Sequence, residues 1–246
     1  MLLLLIIFVS LGNIGKIIHE DQKSRRFSTE LQKAVITVEK EELEGGADRE
    51  EPKEEHAKTD IPAEVDFDSL LKVSENAAAW IYCPGTEINN VIAQAEDNEY
   101  YLHRLLDGTD AYAGTLFMDY RNKRDLSGWN TVIYGHNMKN GTMFAGLQDY
   151  QDQEFYEEHP VMYLYTPGKR YRLELIAGYR TDVHDRIYSI PASEEDKTAI
   201  QEYACGKSAF VSEVKPGEND RLVTLSTCDY AYDDARYVVI GRLVEE

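Results

Sequence analysis

Cys228, His136 and Arg236 are the residues of this 246-residue chain whose types and settings could do chemistry together. Each lies at the edge of a short apolar run. Cys228 ends RLVTLSTC, His136 follows NTVIYG, and Arg236 opens RYVVIGRLV after a polar, acidic connection. A cysteine alone in such a place is most simply a packing residue, since free cysteine is among the most buried residue types. A lone histidine there is most simply structural. Two reactive side chains in the same setting, strand end and then polar loop, ask for more, because catalytic groups gather on loops held by a rigid scaffold. Although 228 − 136 = 92 positions separate them, two strand ends can meet across a barrel. A thiolate is a nucleophile and a nearby imidazole can hold or exchange its proton. A permanent cation such as Arg236 can stabilise a developing oxyanion. The three suffice for acyl transfer.

The elements that must hold them are mostly strands. From residue 65 onward short apolar runs bounded by turn residues recur: WIYCPG, GTLFMDY, NTVIYGH, VMYLYTPG and KRYRLELIAGYRTD. Residues 222–225 and 237–244 read as two more. Pro167-Gly168 separates one pair as a turn. DFDSLLKVSENAAAWI reads as a helix capped by Asp66 or Asp68. Helical patterns also cover residues 143–159 and 193–210, the second opening with an N-cap serine and acids in its first turn. Many short strands with few helices predict a closed barrel or a sandwich and argue against a parallel α/β sheet.

Charge divides the rest of the chain. The net charge is −19, and residues 39–66 carry three acids for each base with almost no large apolar side chain. Such a stretch buries too little surface to offset its ordering entropy, so residues 19–64 read as an acidic disordered tether. So acidic a protein lacks the basic patch that phosphate binding needs, and nucleic acid is excluded as a partner. Residues 2–11 are nearly all apolar, and Ile14, Ile17 and Ile18 extend the run. It is short of the ~20 residues of a spanning helix. No basic residues precede it, and Lys23, Arg25 and Arg26 follow it. Residues 1–18 are read as a signal anchor whose basic flank lies before Met1, and residues 65–246 as the catalytic domain. Cys83, Cys205 and Cys228 form no even framework, and no metal-ligand spacing offers a zinc site. Cys83 reads as core packing and Cys205 as a residue of a helix.

TLSTC, at residues 224–228, resembles the TLxTC signature of the sortases, transpeptidases that attach proteins to the cell walls of Gram-positive bacteria. YGHNMKNGTMF, DNEYYLHRLLDG and GTLFMDYRN resemble the class B branch. The helix from about residue 193 to 210 resembles the one that class B inserts before its cysteine strand. The likeness runs from about residue 66 to 244.

The resemblance implies a closed eight-stranded β-barrel with peripheral helices, including an N-terminal helix and the extra helix before the cysteine strand. It implies that Cys228 attacks the threonine carbonyl of a C-terminal sorting motif to form a thioester. His136 would then serve as general acid and base, and Arg236 would orient substrate and stabilise the oxyanion. Asn98, Leu102, Tyr134, Ser226 and Asp229 fall at positions that line the peptide groove, with Ile187 and Tyr188 in the loop before the extra helix. The partners implied are surface proteins bearing the motif, an amine of the cell-wall precursor or of a pilin, and the membrane. The localisation implied is a single-pass protein with its catalytic domain outside the cell. Class B is not expected to need a cofactor or calcium. An L,D-transpeptidase would place its cysteine in a Ser-x-Gly-Cys turn, which Ser226-Thr227-Cys228-Asp229 does not match. A papain-like enzyme would have cysteine before histidine. A non-enzymatic adhesin explains anchor, tether and strands, but leaves the three reactive residues coincidental.

Overall fold

The computed structural model describes residues 2–38 and 61–246, with side chains from residue 18 onward except at residue 63. It opens with one long helix, α1 (Leu2–Val35), about 50 Å at 1.5 Å per residue. A short strand, β1 (Ile36–Val38), leads out of it and pairs antiparallel with β2 (Pro62–Val65). The tether read over residues 19–64 is corrected here, because residues 19–38 are ordered as helix and strand. The reason is a stripe of Phe27, Leu31 and Val35, spaced four apart so that they share one helix face. Leu31 and Val35 are buried against Phe67, Leu70, Trp80 and Val91, each contributing about 2 kcal/mol. Gln32 Nε2 also donates to the Asn89 carbonyl at 2.7 Å. Residues 39–60 of the tether lie outside the described residues. Among the described residues no helix is long and apolar enough to cross a membrane. The side chains of residues 1–14, 16 and 17, on which the anchor reading rests, lie outside that set.

Next comes α2 (Phe67–Val73), capped by Asp66, whose side chain accepts from the Ser69 amide. This helix is shorter than its sequence pattern predicts. Residues 77–82 leave it as β3 (Ala77–Tyr82), where Trp80 and Ile81 are fully buried in a sheet. The remaining strands are β4 (Asn89–Ala93), β5 (Leu116–Met118), β6 (Asn130–Tyr134), β7 (Val161–Thr166), β8 (Lys169–Asp182), β9 (Arg221–Cys228) and β10 (Ala235–Glu245). They close a barrel in the order β10-β8-β7-β3-β4-β5-β6-β9, with β9 returning to β10. Two of its pairings are parallel, β4 with β5 and β6 with β9. The closed eight-stranded barrel with peripheral helices is thus the fold that the sequence implied. Closure leaves no exposed edge in the barrel sheet.

Two helices dress the barrel. The segment 143–159 forms a 3-10 turn and then α3 (Gln153–Glu158). The longer α4 (Glu194–Lys207) starts on Ser193, whose hydroxyl accepts from the Asp196 amide, and has three acids in its first turn. The β7–β8 turn uses Gly168 at φ +74°, a conformation that costs glycine little and other residues more. Cys83 is fully buried in the main core with its Sγ 3.5 Å from the Tyr150 hydroxyl. Cys205 is exposed on α4.

Candidate active site

The parallel pairing of β6 with β9 decides where the two reactive side chains go. Tyr134 faces Ser226 in register, and the Gly135 amide carries the ladder on by donating to the Ser226 carbonyl at 3.1 Å. Thr227 Oγ1 then donates to the Gly135 carbonyl at 2.8 Å. Both strands run the same way, so His136 and Cys228 leave them at the same rim of the barrel. The third strand, β10, runs antiparallel to β9 and begins at this rim, where Arg236 is the direct register partner of Cys228. Gly135 is required by close approach. A Cβ there would lie 2.3 Å from Leu116 Cδ2 and 2.7 Å from Phe144 Cδ2, both side chains of fully buried residues.

A cavity of about 490 Å³ opens along this rim. Asn98, Leu102, Tyr134, His136, Tyr188, Ser226, Cys228 and Arg236 all line it, together with Phe117, Arg121, Val183 and His184. The structure therefore brings together eight of the residues singled out in the sequence. It does not bring the side chains of Ile187 and Asp229 into that cavity. Ile187 is fully buried against Ile176, Ile200 and Val238, as an apolar side chain in a short turn under α4 should be. Asp229 turns the other way: its buried carboxylate meets Arg180 Nε at 2.5 Å and accepts from the Ala231 amide at 2.9 Å.

The histidine is fixed in orientation and tautomer. His136 Nε2 lies 2.8 Å from the Leu102 carbonyl oxygen, which can only accept, so Nε2 carries the hydrogen. Nδ1 is left as the nitrogen that takes up and releases a proton. The ring stacks on His103 at 5.3 Å between centroids and on Tyr112 at 5.8 Å. Burial lowers the His136 pKa below the ordinary imidazole value, the bond to Leu102 opposes this, and the His103 charge adds to the lowering. Cys228 is half-buried, and its carbonyl accepts from Asn137 Nδ2 at 3.0 Å. Arg236 donates from Nη1 to the Ala235 carbonyl at 2.9 Å. Among the described residues it has no carboxylate partner, so its remaining donors are free for a ligand.

Further polar groups complete the walls. Tyr188 shares a 2.8 Å hydrogen bond with Ser226 Oγ, and burial pushes its pKa up to about 12, so it stays a neutral phenol. The loop that carries it is held by Asp185, which accepts from the Ile187 amide at 2.9 Å and from the Tyr203 hydroxyl of α4 at 2.9 Å. Burial works against charge on Asp185, but these bonds and the one from Thr181 outweigh it and hold its pKa below the ordinary value. Sequence reasoning missed Asp185, His103, Tyr112, Asp119 and Arg121. The first was hidden because an aspartate before a turn reads as a cap and nothing more.

The lowered His136 pKa has a pH consequence. At neutral pH the imidazole is mostly uncharged. The same shift acts on stability. The unfolded chain binds this proton more readily, so the contribution is complete above about 6.5 and is lost as pH falls through the native value.

Thiol-based acyl transfer is the chemistry such a rim can perform, and comparison with known proteins assigns it. The family model of the sortase domain matches residues 81–244. Sortase B of Listeria monocytogenes serovar 1/2a is 37% identical over 195 residues, covering 76% of this chain and 78% of that protein. A crystal structure of sortase B from B. anthracis in complex with AAEK1 superposes with a TM-score of 0.77 at 32% identity, covering 94% of this chain and 100% of that one. The Staphylococcus aureus sortase B–substrate complex gives a TM-score of 0.69 at 32% identity, covering 73% and 84%. The chain belongs to the sortase B family. It is a cysteine transpeptidase acting on the sorting motifs of surface proteins.

Proposed function

We propose that this transpeptidase cleaves its motif after threonine through a Cys228 thioester and passes the acyl group to an amine of the cell-wall precursor. Cys228 passes its Sγ proton to His136 Nδ1, and the sulfur attacks the threonine carbonyl carbon. The C–S bond forms, the peptide C–N bond breaks, and His136 gives its Nδ1 proton to the departing amine. An incoming amine loses a proton to the same nitrogen, attacks the thioester and expels the thiolate. Arg236 supplies the charge that meets the carbonyl oxygen in both steps. The observation that carries this reading is the register of the rim, with Arg236 directly across from Cys228 on one side and the tautomer-fixed His136 on the strand at the other. An amine of a pilin is the second acceptor that the same chemistry admits.

We also propose that residues 1–18 anchor the protein in the cell membrane with the barrel outside. The apolar run at residues 2–11 supports this, as does the habit of the family.

The test is acylation. Protein incubated with peptides bearing NPxTN-like or SPxTG-like motifs should gain the mass of the acyl half on Cys228, and an added cell-wall-type amine should discharge it. An adduct on another residue, or none with any such peptide, would overturn the assignment.

A further inference from the structure

The imidazole of His136 is gripped twice by one short segment. The Leu102 carbonyl takes its Nε2 hydrogen at 2.8 Å. The next residue, His103, lays its ring against it, with 5.3 Å between centroids and 20° between planes. The chain then doubles back, the Ala111 amide donating to the His103 carbonyl at 3.0 Å and the Leu105 amide to the Thr109 carbonyl at 2.9 Å. This return brings Tyr112 to the same place. Its ring lies 5.8 Å from that of His136 and 5.8 Å from that of His103, within 23° of parallel to both. His103 Nδ1 is 3.3 Å from the Tyr112 carbonyl oxygen, which can only accept, so the two residues are tied as well as stacked.

Both covering rings are exposed while His136 is half-buried, so the stack shields the imidazole on its solvent side. Packing alone would be served as well by a phenylalanine at 103. Histidine is the side chain whose charge changes between about pH 5 and 8, and like charges so close disfavour each other's charged form. Burial is the first cause of the low His136 pKa, and the charge on His103 adds to it. Other charged and titratable groups stand around the pair. Cys228, Arg236, His184, Arg121 and Asp185 line the cavity with His136; of these, Arg121 is paired with Asp119 at 2.8 Å and Asp185 with Lys207 at 3.3 Å. On the His103 side Arg104 pairs with Asp110 at 3.5 Å, and Lys23 of α1 donates to the Asp110 carbonyl at 3.3 Å. Tyr230 reaches in from the β9–β10 connection and donates to the Asn137 carbonyl at 3.3 Å. Among the described residues, His103 is the histidine stacked on the His136 ring.

We propose that His103 is a positioning residue for the acyl-transfer reaction, holding the His136 ring through the stack with Tyr112 and acting on it through its own charge in mildly acidic solution. The role rests on the reading of His136 as the group that takes the Cys228 proton. One hydrogen bond fixes one atom of the imidazole. Two flanking rings fix its plane, and with it the direction in which Nδ1 points. The charge acts on the proton itself. Once His103 is protonated a second proton on His136 is costlier, so the imidazole stays open to the thiol's proton down to a lower pH. Two histidines this close titrate as a coupled pair.

The experiment follows the His136 ring hydrogens by NMR across pH in the whole chain without substrate. Over the same range it measures kcat/KM for acylation by peptides bearing NPxTN-like or SPxTG-like motifs. His103→Phe keeps a ring and removes the charge. In it His136 should titrate at a pH higher by about half a unit or more than in wild type, and the acid limb of kcat/KM should rise with it. His103→Gln removes ring and charge together. Its limb should move in the same direction, and kcat at the optimum should fall about threefold or more below that of the phenylalanine variant. Both replace an exposed side chain, so the fold should survive either change. A role in packing alone would leave the His136 titration and the acid limb where they are in His103→Phe, and that result would overturn the proposal. A glutamine variant with the kcat of the phenylalanine one would remove the positioning by the stack. If no peptide acylates the wild-type protein, the reading of Cys228 and His136 falls and this role with it. If the peptides acylate and the titration stays unmoved, only the role of His103 is lost.

Discussion

Cys228→Ala is expected to abolish both cleavage of a sorting-motif peptide and transfer to an amine, by at least about a thousandfold. The substitution removes only the sulfur. The β9–β10 ladder that positions residue 228 runs through backbone groups and survives, and the side chain is half-buried at a strand end, so the stability cost stays within about 1 kcal/mol. Circular dichroism and a melting curve close to wild type should therefore accompany a complete loss of acyl adduct in the mass spectrum. Turnover above background in this variant would put the nucleophile elsewhere. Cys83→Ala makes the contrast. That thiol sits fully buried against Tyr150, so its loss should lower the melting temperature through a small cavity and leave the chemistry in place.

Arg236→Lys is expected to be nearly as damaging, with kcat falling by about a hundredfold or more. Register places residue 236 opposite Cys228 on the adjoining antiparallel strand, where paired Cα atoms lie about 4.5–5.5 Å apart. From there a guanidinium can present two N–H bonds in one plane to an oxygen of the reacting carbonyl, while Nη1 remains tied to the Ala235 carbonyl. Lysine keeps the charge but loses the fork and the tether together. Because the lost contact strengthens as the oxygen gains charge, kcat should fall more than KM rises. A lysine variant within a few-fold of wild type would mean that the arginine acts through charge alone.

Much of this was readable from residue types. The reactive trio stood at strand ends because strand patterns stop where polar loops begin, and the barrel needed only that the ends meet. β4 was not legible: NNVIA opens with two asparagines, poor strand formers, and forms because β3 and β5 flank it. Charge misled the reading of residues 19–38, where the polar face of a helix masked the apolar stripe of Phe27, Leu31 and Val35. The groove residues rest on the family resemblance, and Asn98, Leu102, Tyr134, Tyr188 and Ser226 do line the cavity. Asp229 follows the cysteine and so reads as a groove residue, yet Arg180, 49 positions away, draws it aside. Asp119 and Arg121 look like an ordinary surface pair in MDYRN. Only the folded chain shows that Asn98 and Tyr134 come to the same carboxylate.

The parallel pairing of β6 with β9 also constrains how the protein comes to life. Its two strands are joined by most of the second half of the chain, and holding His136 beside Cys228 before other contacts form would cost about 4 kcal/mol of loop-closure entropy. Contacts so distant along the sequence tend to form late. Since β9 and β10 follow the six other barrel strands in sequence, the barrel closes only after all of those have been made. A chain whose barrel has not yet closed therefore carries a thiol with neither its proton partner nor its guanidinium in place, and catalysis waits on barrel closure.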